Sequence, residues 1–133
     1  MLLDASFNAI THEIIGAAIE VHRTLGPGLL ESTYIPCLRY ELSARNLRFV
    51  AERRLPIVYK TMPLDVMYRV DLIVEDLVVI EVKSVATLLS VHEAQLLTYL
   101  ALTGCAAGLL INFNVAKLTD GVKRLISTRS NTR

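Results

Sequence analysis

The sequence predicts a soluble α/β (α+β) domain, and three observations carry that expectation. Two stretches with helical spacing come first, a block of short Val-, Ile- and Tyr-rich runs follows, and a further helix and an apolar strand come after it. Residues 7–25 carry Ile10, Ile14, Ala18, Val21 and Leu25 at intervals of three and four, the stripe of an amphipathic helix with Ser6 as its N-cap. Gly26-Pro27-Gly28 then stops it. A second helix is expected over 30–44, with Tyr34, Leu38 and Leu42 on its apolar side and Asn46 as its C-terminal turn residue. Between residues 49 and 85 the pattern becomes that of successive strands, broken at Pro56 and Pro63, the best of them at 66–74 and 77–82. Glu75-Asp76 lies between those two as a hairpin tip. Residues 91–103 return to a helical pattern, 107–113 form a buried strand, and a last segment at 122–126 follows the turn signal Asp120-Gly121.

A chain of 133 residues suits one domain, 1–133, able to bury a core without crosslinks. Cys37 and Cys105 form no CxxC pair and have no further cysteines to complete a metal cage, so both are expected to be buried free thiols in a reducing compartment. The N-terminus has Asp4 in place of a basic secretory leader, and no run is long and apolar enough to cross a membrane, which together point to the cytoplasm. A formal charge of +1 gives no general pull towards a polyanion. Two local basic patches stand out, one of Lys117, Lys123, Arg124, Arg129 and Arg133, the other of Arg45, Arg48, Arg53 and Arg54. Each by itself reads better as a solvated face. A 53% hydrophobic content is high for so short a chain, and makes a homo-oligomeric interface a reasonable expectation.

The runs VDLIV and LVVIEVK are apolar on both faces, as in strands covered on both sides, yet they contain Asp71, Glu81 and Lys83. Burying an unpaired charge is costly, so such groups are normally paired, neutralised or bound to metal. A three-residue loop at 75–77 would set Asp71 opposite Glu81, with Cβ atoms roughly 5 Å apart, and alternation would put Lys83 on the face of Glu81. Two carboxylates that close suit a hard divalent cation. The plainer alternative is a buried salt bridge from Lys83 to one of them. The pairing depends on register, because a slip of one residue would turn Asp71 to the other face.

Asp71, followed after nine residues by Glu81-Val82-Lys83, resembles the PD-(D/E)xK nuclease superfamily, and its flanks resemble the GxxExxY branch. The name motif of that branch reads here Gly28-Leu29-Leu30-Glu31-Ser32-Thr33-Tyr34. The likeness continues through YRVDLIVEDLVVIEVK, HEAQLLTYL and GLLINFN. It implies a restriction-endonuclease-like core, a mixed central sheet flanked by helices, and metal-dependent hydrolysis of DNA or RNA. Asp71 and Glu81 would ligate Mg²⁺ or Mn²⁺, and Lys83 would orient or activate the attacking water. Glu31 would add an acidic group, Gln95 and Tyr99 would match a catalytic glutamine and tyrosine of related branches, and Tyr34, Gln95 and Tyr99 would meet the substrate. Val70 stands where the superfamily's name has proline. At i and i+4, Gln95 and Tyr99 share one helix face. Tyr34 and Tyr99 are more often core aromatics with a satisfied hydroxyl, and Glu31 is an acid favoured at a helix N-terminus in any case. His12, His22 and His92 lack metal-ligand spacing and stay outside the site. Nucleic acid is the expected partner, with targeting supplied by a partner protein or a second copy. Two other readings are a non-catalytic binding or regulatory module on the same fold and, more weakly, a small-molecule-binding domain; the latter lacks a Gly-rich phosphate loop.

Overall fold

The computed structural model describes residues 5–127, with side chains from residue 7 onward. It has helices α1 (Ala5–Leu25), α2 (Glu31–Ala44) and α3 (Ser90–Thr103), strands β1 (Phe49–Tyr59), β2 (Met62–Val74), β3 (Val78–Lys83), β4 (Ala107–Asn112) and β5 (Val122–Ile126), and a 3-10 turn at Leu118–Gly121. The strands form one mixed sheet in the order β1-β2-β3-β4-β5, parallel only between β3 and β4. That parallel pair needs a crossover, which α3 provides. The result is an α+β fold of five strands flanked by three helices, as the resemblance implied.

Two apolar layers hold the sheet. Ile14, Ala17, Ala18 and Val21 of α1 and Tyr34, Leu38 and Leu42 of α2 pack on Leu72, Ile80, Val82, Leu109 and Ile111. On the opposite face Leu96, Tyr99 and Leu100 of α3 pack on Leu55, Val70, Ile73, Val79 and Leu110. Strands β3 and β4 are therefore apolar on both faces because both are covered. At Gly121 an added Cβ would run into the Asn112 carbonyl oxygen, so only glycine lets the 3-10 turn lie against β4.

Several expectations need correction. Helix α1 already includes Ala5, so Ser6 lies inside it and is not its N-cap. Leu30 is the N-cap of α2, outside the helix. Neither proline breaks a strand: Pro56 lies within β1 and Pro63 near the start of β2, joining the two into one long hairpin with an irregularity between Pro56 and Val58. The physical reason is that β1 is an edge strand and β2 pairs with β3 only at residues 72–74, so each proline has one side with no neighbouring strand and no ladder bond to lose there. Cys105 is buried but Cys37 is only half-buried on α2, and both are free thiols. Asn46 does turn the chain after α2, at φ 60°.

The basic patches are partly neutralised. Arg45 pairs with Glu13 at 2.9 Å, Arg48 with Glu75 at 3.2 Å and Lys123 with Glu93 at 2.7 Å. Arg129 and Arg133 lie outside the described residues. No described helix is long and apolar enough to cross a membrane.

Candidate active site

The β2–β3 hairpin turns through Glu75, Asp76 and Leu77, a three-residue loop with Glu75 and Asp76 at φ 53° and 55°. Its register pairs Val74 with Val78, Ile73 with Val79 and Leu72 with Ile80, so one further step brings Asp71 against Glu81. There the backbone ladder stops and the two carboxylates continue it. The Asp71 N–H donates to Glu81 Oε2 at 2.9 Å, and the Val82 N–H donates to Asp71 Oδ2 at 2.8 Å. Each acid thus accepts from the other strand's backbone, which fixes both side chains and keeps the donors satisfied where the strands part. Beyond this point β2 rotates about its axis, since Leu72 packs into the α1/α2 layer while Val70 packs into the α3 layer.

Glu81 is 5% exposed. Burial, and then the charge of Asp71 beside it, push its carboxyl up to about 8, against the opposing influence of the Asp71 N–H and Lys83. Asp71 is also raised, chiefly by burial, with the Val82 N–H and Lys83 pulling the other way. Lys83 shares the Glu81 face of β3 by alternation and acts on both acids through space. Among the described residues no ion pair joins it to either, so the direct salt bridge of the plainer reading is not formed.

The other candidates are placed unevenly. Glu31, at the start of α2, accepts from the Ser84 N–H at 3.3 Å and raises both acids electrostatically, so it stands close to them. Tyr99 is 4% exposed, with its hydroxyl pushed up to about 12 by burial and then by Glu81 and Asp71, so the phenol lies within electrostatic reach of the acidic pair. Gln95, one helical turn before Tyr99, is half-buried and makes no side-chain hydrogen bond among the described residues. Tyr34 has a different task. Its ring is fully buried and stacked on Phe113 at 4.4 Å, while its hydroxyl donates to Gly26 O at 2.6 Å and accepts from the Leu29 N–H at 3.1 Å. That hydroxyl is occupied in pinning the Gly26-Pro27-Gly28 loop, and a substrate contact by Tyr34 does not fit this geometry. Two of the histidines have backbone partners: His92 Nδ1 accepts from the Leu89 N–H at the start of α3, and His22 bonds to Val115 O.

Two residues escaped the sequence reading. Asn112, 2% exposed and paired with Lys83 in the parallel ladder, donates through Nδ2 to Val85 O at 2.9 Å and accepts through Oδ1 from the N–H groups of Val85 and Asn114. It clamps the segment just after Lys83. A polar residue inside the apolar run GLLINF is the same signal that exposed Asp71 and Glu81, and would have found it. Ser84 donates its hydroxyl to Leu29 O at 2.5 Å, tying that segment to the loop before α2.

No group of three or more His, Cys, Asp or Glu converges on one point among the described residues. The donor set nevertheless suits Mg²⁺ or Mn²⁺. Among the described residues Asp71 Oδ1 and Glu81 Oε1 accept no hydrogen bond, and Mg²⁺ is commonly held by one or two carboxylates with waters and phosphate oxygens around the rest. A buried like-charged pair also gains most from a dication between its members.

A family model described as the PD-(D/E)XK nuclease superfamily matches residues 8–125. No curated protein and no solved structure matches the chain. Members of the superfamily generally use divalent metals. The match spans the helices, the hairpin with its acidic pair, and the crossover to β4, so the chain belongs to the PD-(D/E)XK nuclease superfamily.

Proposed function

We propose that the protein is a Mg²⁺- or Mn²⁺-dependent nuclease that hydrolyses phosphodiester bonds of DNA or RNA, a member of the GxxExxY branch. The observation that carries this reading is the meeting of Asp71 and Glu81 where the β2–β3 ladder ends, each held by the other strand's backbone, with Lys83 on the same face. Free cysteines fit a reducing, cytoplasmic setting.

Asp71 and Glu81 would hold the metal through the oxygens their backbone donors leave free. When bound, the metal lowers the pKa of a water and offsets charge on the scissile phosphate. Lys83 orients the attacking water and stabilises negative charge developing on the phosphate oxygens. Glu31, from the start of α2, adds negative charge that strengthens the demand for a cation. Tyr99 stays protonated at any physiological pH and is a hydrogen-bond donor to a phosphate oxygen. Gln95 lies on the same helix face as a second donor. Asn112 and Ser84 position Lys83 by fixing the chain after it.

The test is cleavage of labelled single- and double-stranded DNA and RNA with Mn²⁺, Mg²⁺ or EDTA, comparing wild type with Glu81→Gln and Lys83→Ala. Metal-dependent cutting lost in both variants is the expected result. Absence of cutting by folded wild type with every substrate and metal would overturn it and leave a binding module on a nuclease fold.

A further inference from the structure

Past the acidic pair, the α3 side of the sheet carries an exposed ring and an unpaired cation that the cleavage step leaves unassigned. On β3 the alternation that puts Val79 in the α3 layer puts Glu81 and Lys83 on that side as well. On β1 and β2, Leu55 and Val70 are buried in the same layer, and cross-strand partners share a face. Arg53 is the partner of Val70 and Tyr68 the partner of Leu55, so both belong to the α3 side and stand diagonally to each other. Both pairings lie before the irregularity between Pro56 and Val58.

Tyr99 links these two residues to the acids. Its phenol is within electrostatic reach of Glu81 and Asp71, and its ring lies against Tyr68 with centroids 6.4 Å apart and planes tilted by 57°. Tyr99 is 4% exposed but Tyr68 is 46% exposed, so the outer of the two rings is open to a ligand. Arg53 is exposed and has neither an ion pair nor a side-chain hydrogen bond among the described residues, while Glu52 beside it is engaged with Arg69 at 3.0 Å. An unpaired guanidinium meets a phosphate through its charge and its fork of donors. An open aromatic ring meets a base by stacking. In a duplex the base faces are already covered by their neighbours, whereas a single strand can turn a base onto a side chain. Adjacent strands lie about 4.8 Å apart, so Arg53 on β1 is roughly 10 Å across the sheet from β3 and meets a phosphate other than the one at the acidic pair.

We propose that the protein takes its substrate as a single strand laid along the α3 side of the sheet, with a base stacked on Tyr68 and a neighbouring phosphate held by Arg53. The ligand class rests on the nuclease reading; the preference for a single strand rests on the open ring and the free guanidinium beside it.

Fluorescence anisotropy tests this with labelled single strands of DNA and RNA and with their duplexes, in EDTA, on the full chain carrying Glu81→Gln, so that cutting does not enter the measurement. Single strands are expected to bind more tightly than duplexes. Tyr68→Ala should weaken single-strand binding roughly tenfold, and Tyr68→Phe should leave it unchanged. Arg53→Ala should reduce the steepness of log affinity against log salt by about 0.7, while Arg54→Ala, on the other face of β1, leaves it alone. A strand of abasic nucleotides keeps its phosphates and should lose at least the factor lost by Tyr68→Ala; it carries the test if that variant fails to fold. Duplexes bound as tightly as single strands, abasic strands bound as tightly as intact ones, or equal salt dependence for the two arginine variants would overturn the proposal. Cleavage by wild type is read separately: cutting with none of these differences overturns this inference alone, and these differences without cutting overturn the nuclease reading alone.

Discussion

Replacing Glu81 with glutamine makes the energetics of the acidic pair directly measurable. In the folded protein Glu81 holds its proton to about pH 8, whereas the unfolded side chain releases it near its ordinary value of 4.5. Between those values the folded state binds more protons than the unfolded one, so stability is full below the lower value and declines as pH rises towards the upper. The slope is about 1.4 kcal/mol per pH unit, which amounts to roughly 3 kcal/mol between pH 5 and pH 7. Glutamine keeps a carbonyl oxygen for the Asp71 N–H and removes the titration. Urea unfolding in EDTA at pH 5, 6, 7 and 8, followed by circular dichroism, should therefore show Glu81→Gln gaining on wild type by roughly 3 kcal/mol over the first two units. Saturating Mg²⁺ should restore wild type at pH 8 and leave the variant unmoved, because ligand stabilisation acts only where the ligand binds. Parallel pH profiles for the two proteins would refute the buried, proton-holding state of Glu81.

The remaining predictions follow from the same contacts. Lys83→Ala should lower the cleavage rate ~100-fold or more in single-turnover assays while the Mg²⁺-dependent rise in melting temperature persists. Tyr34→Phe should cost about 1–2 kcal/mol in urea unfolding, because Gly26 O and the Leu29 N–H lose their partner, with cleavage unchanged at a temperature where the variant is folded. Asn112→Ala removes a buried clamp with three backbone bonds and should destabilise by about 2–4 kcal/mol; hydrogen exchange at Ser84 and Val85 should rise before that of β4.

Much of this was legible in the sequence because it rests on local rules. The apolar stripes of α1 and α2 follow from spacing, and the loop length at Glu75 fixed the register that brings Asp71 to Glu81. What was hidden depended on partners far along the chain. Proline reads as a strand breaker unless the strand is known to be an edge, which only the sheet order reveals for Pro56. Tyr34 looked available to substrate until Gly26 and Leu29 were seen to occupy its hydroxyl. Spacing offers Lys83 an acid to bridge, but it does not show that backbone N–H groups already occupy one oxygen of each carboxylate. Asn112 announced itself as a polar residue in an apolar run, but its partner Val85 is 27 positions away.

That the carboxylates stand in for ladder acceptors at the parting of β2 and β3 also constrains how such a protein can lose its activity. Alanine at position 71 or 81 would strand an amide hydrogen at the edge of the core, whereas asparagine or glutamine would still receive it. A descendant released from selection for cleavage is thus steered towards amides at these positions, and an inactive relative should be recognisable by an Asn or Gln standing where this chain keeps its acids.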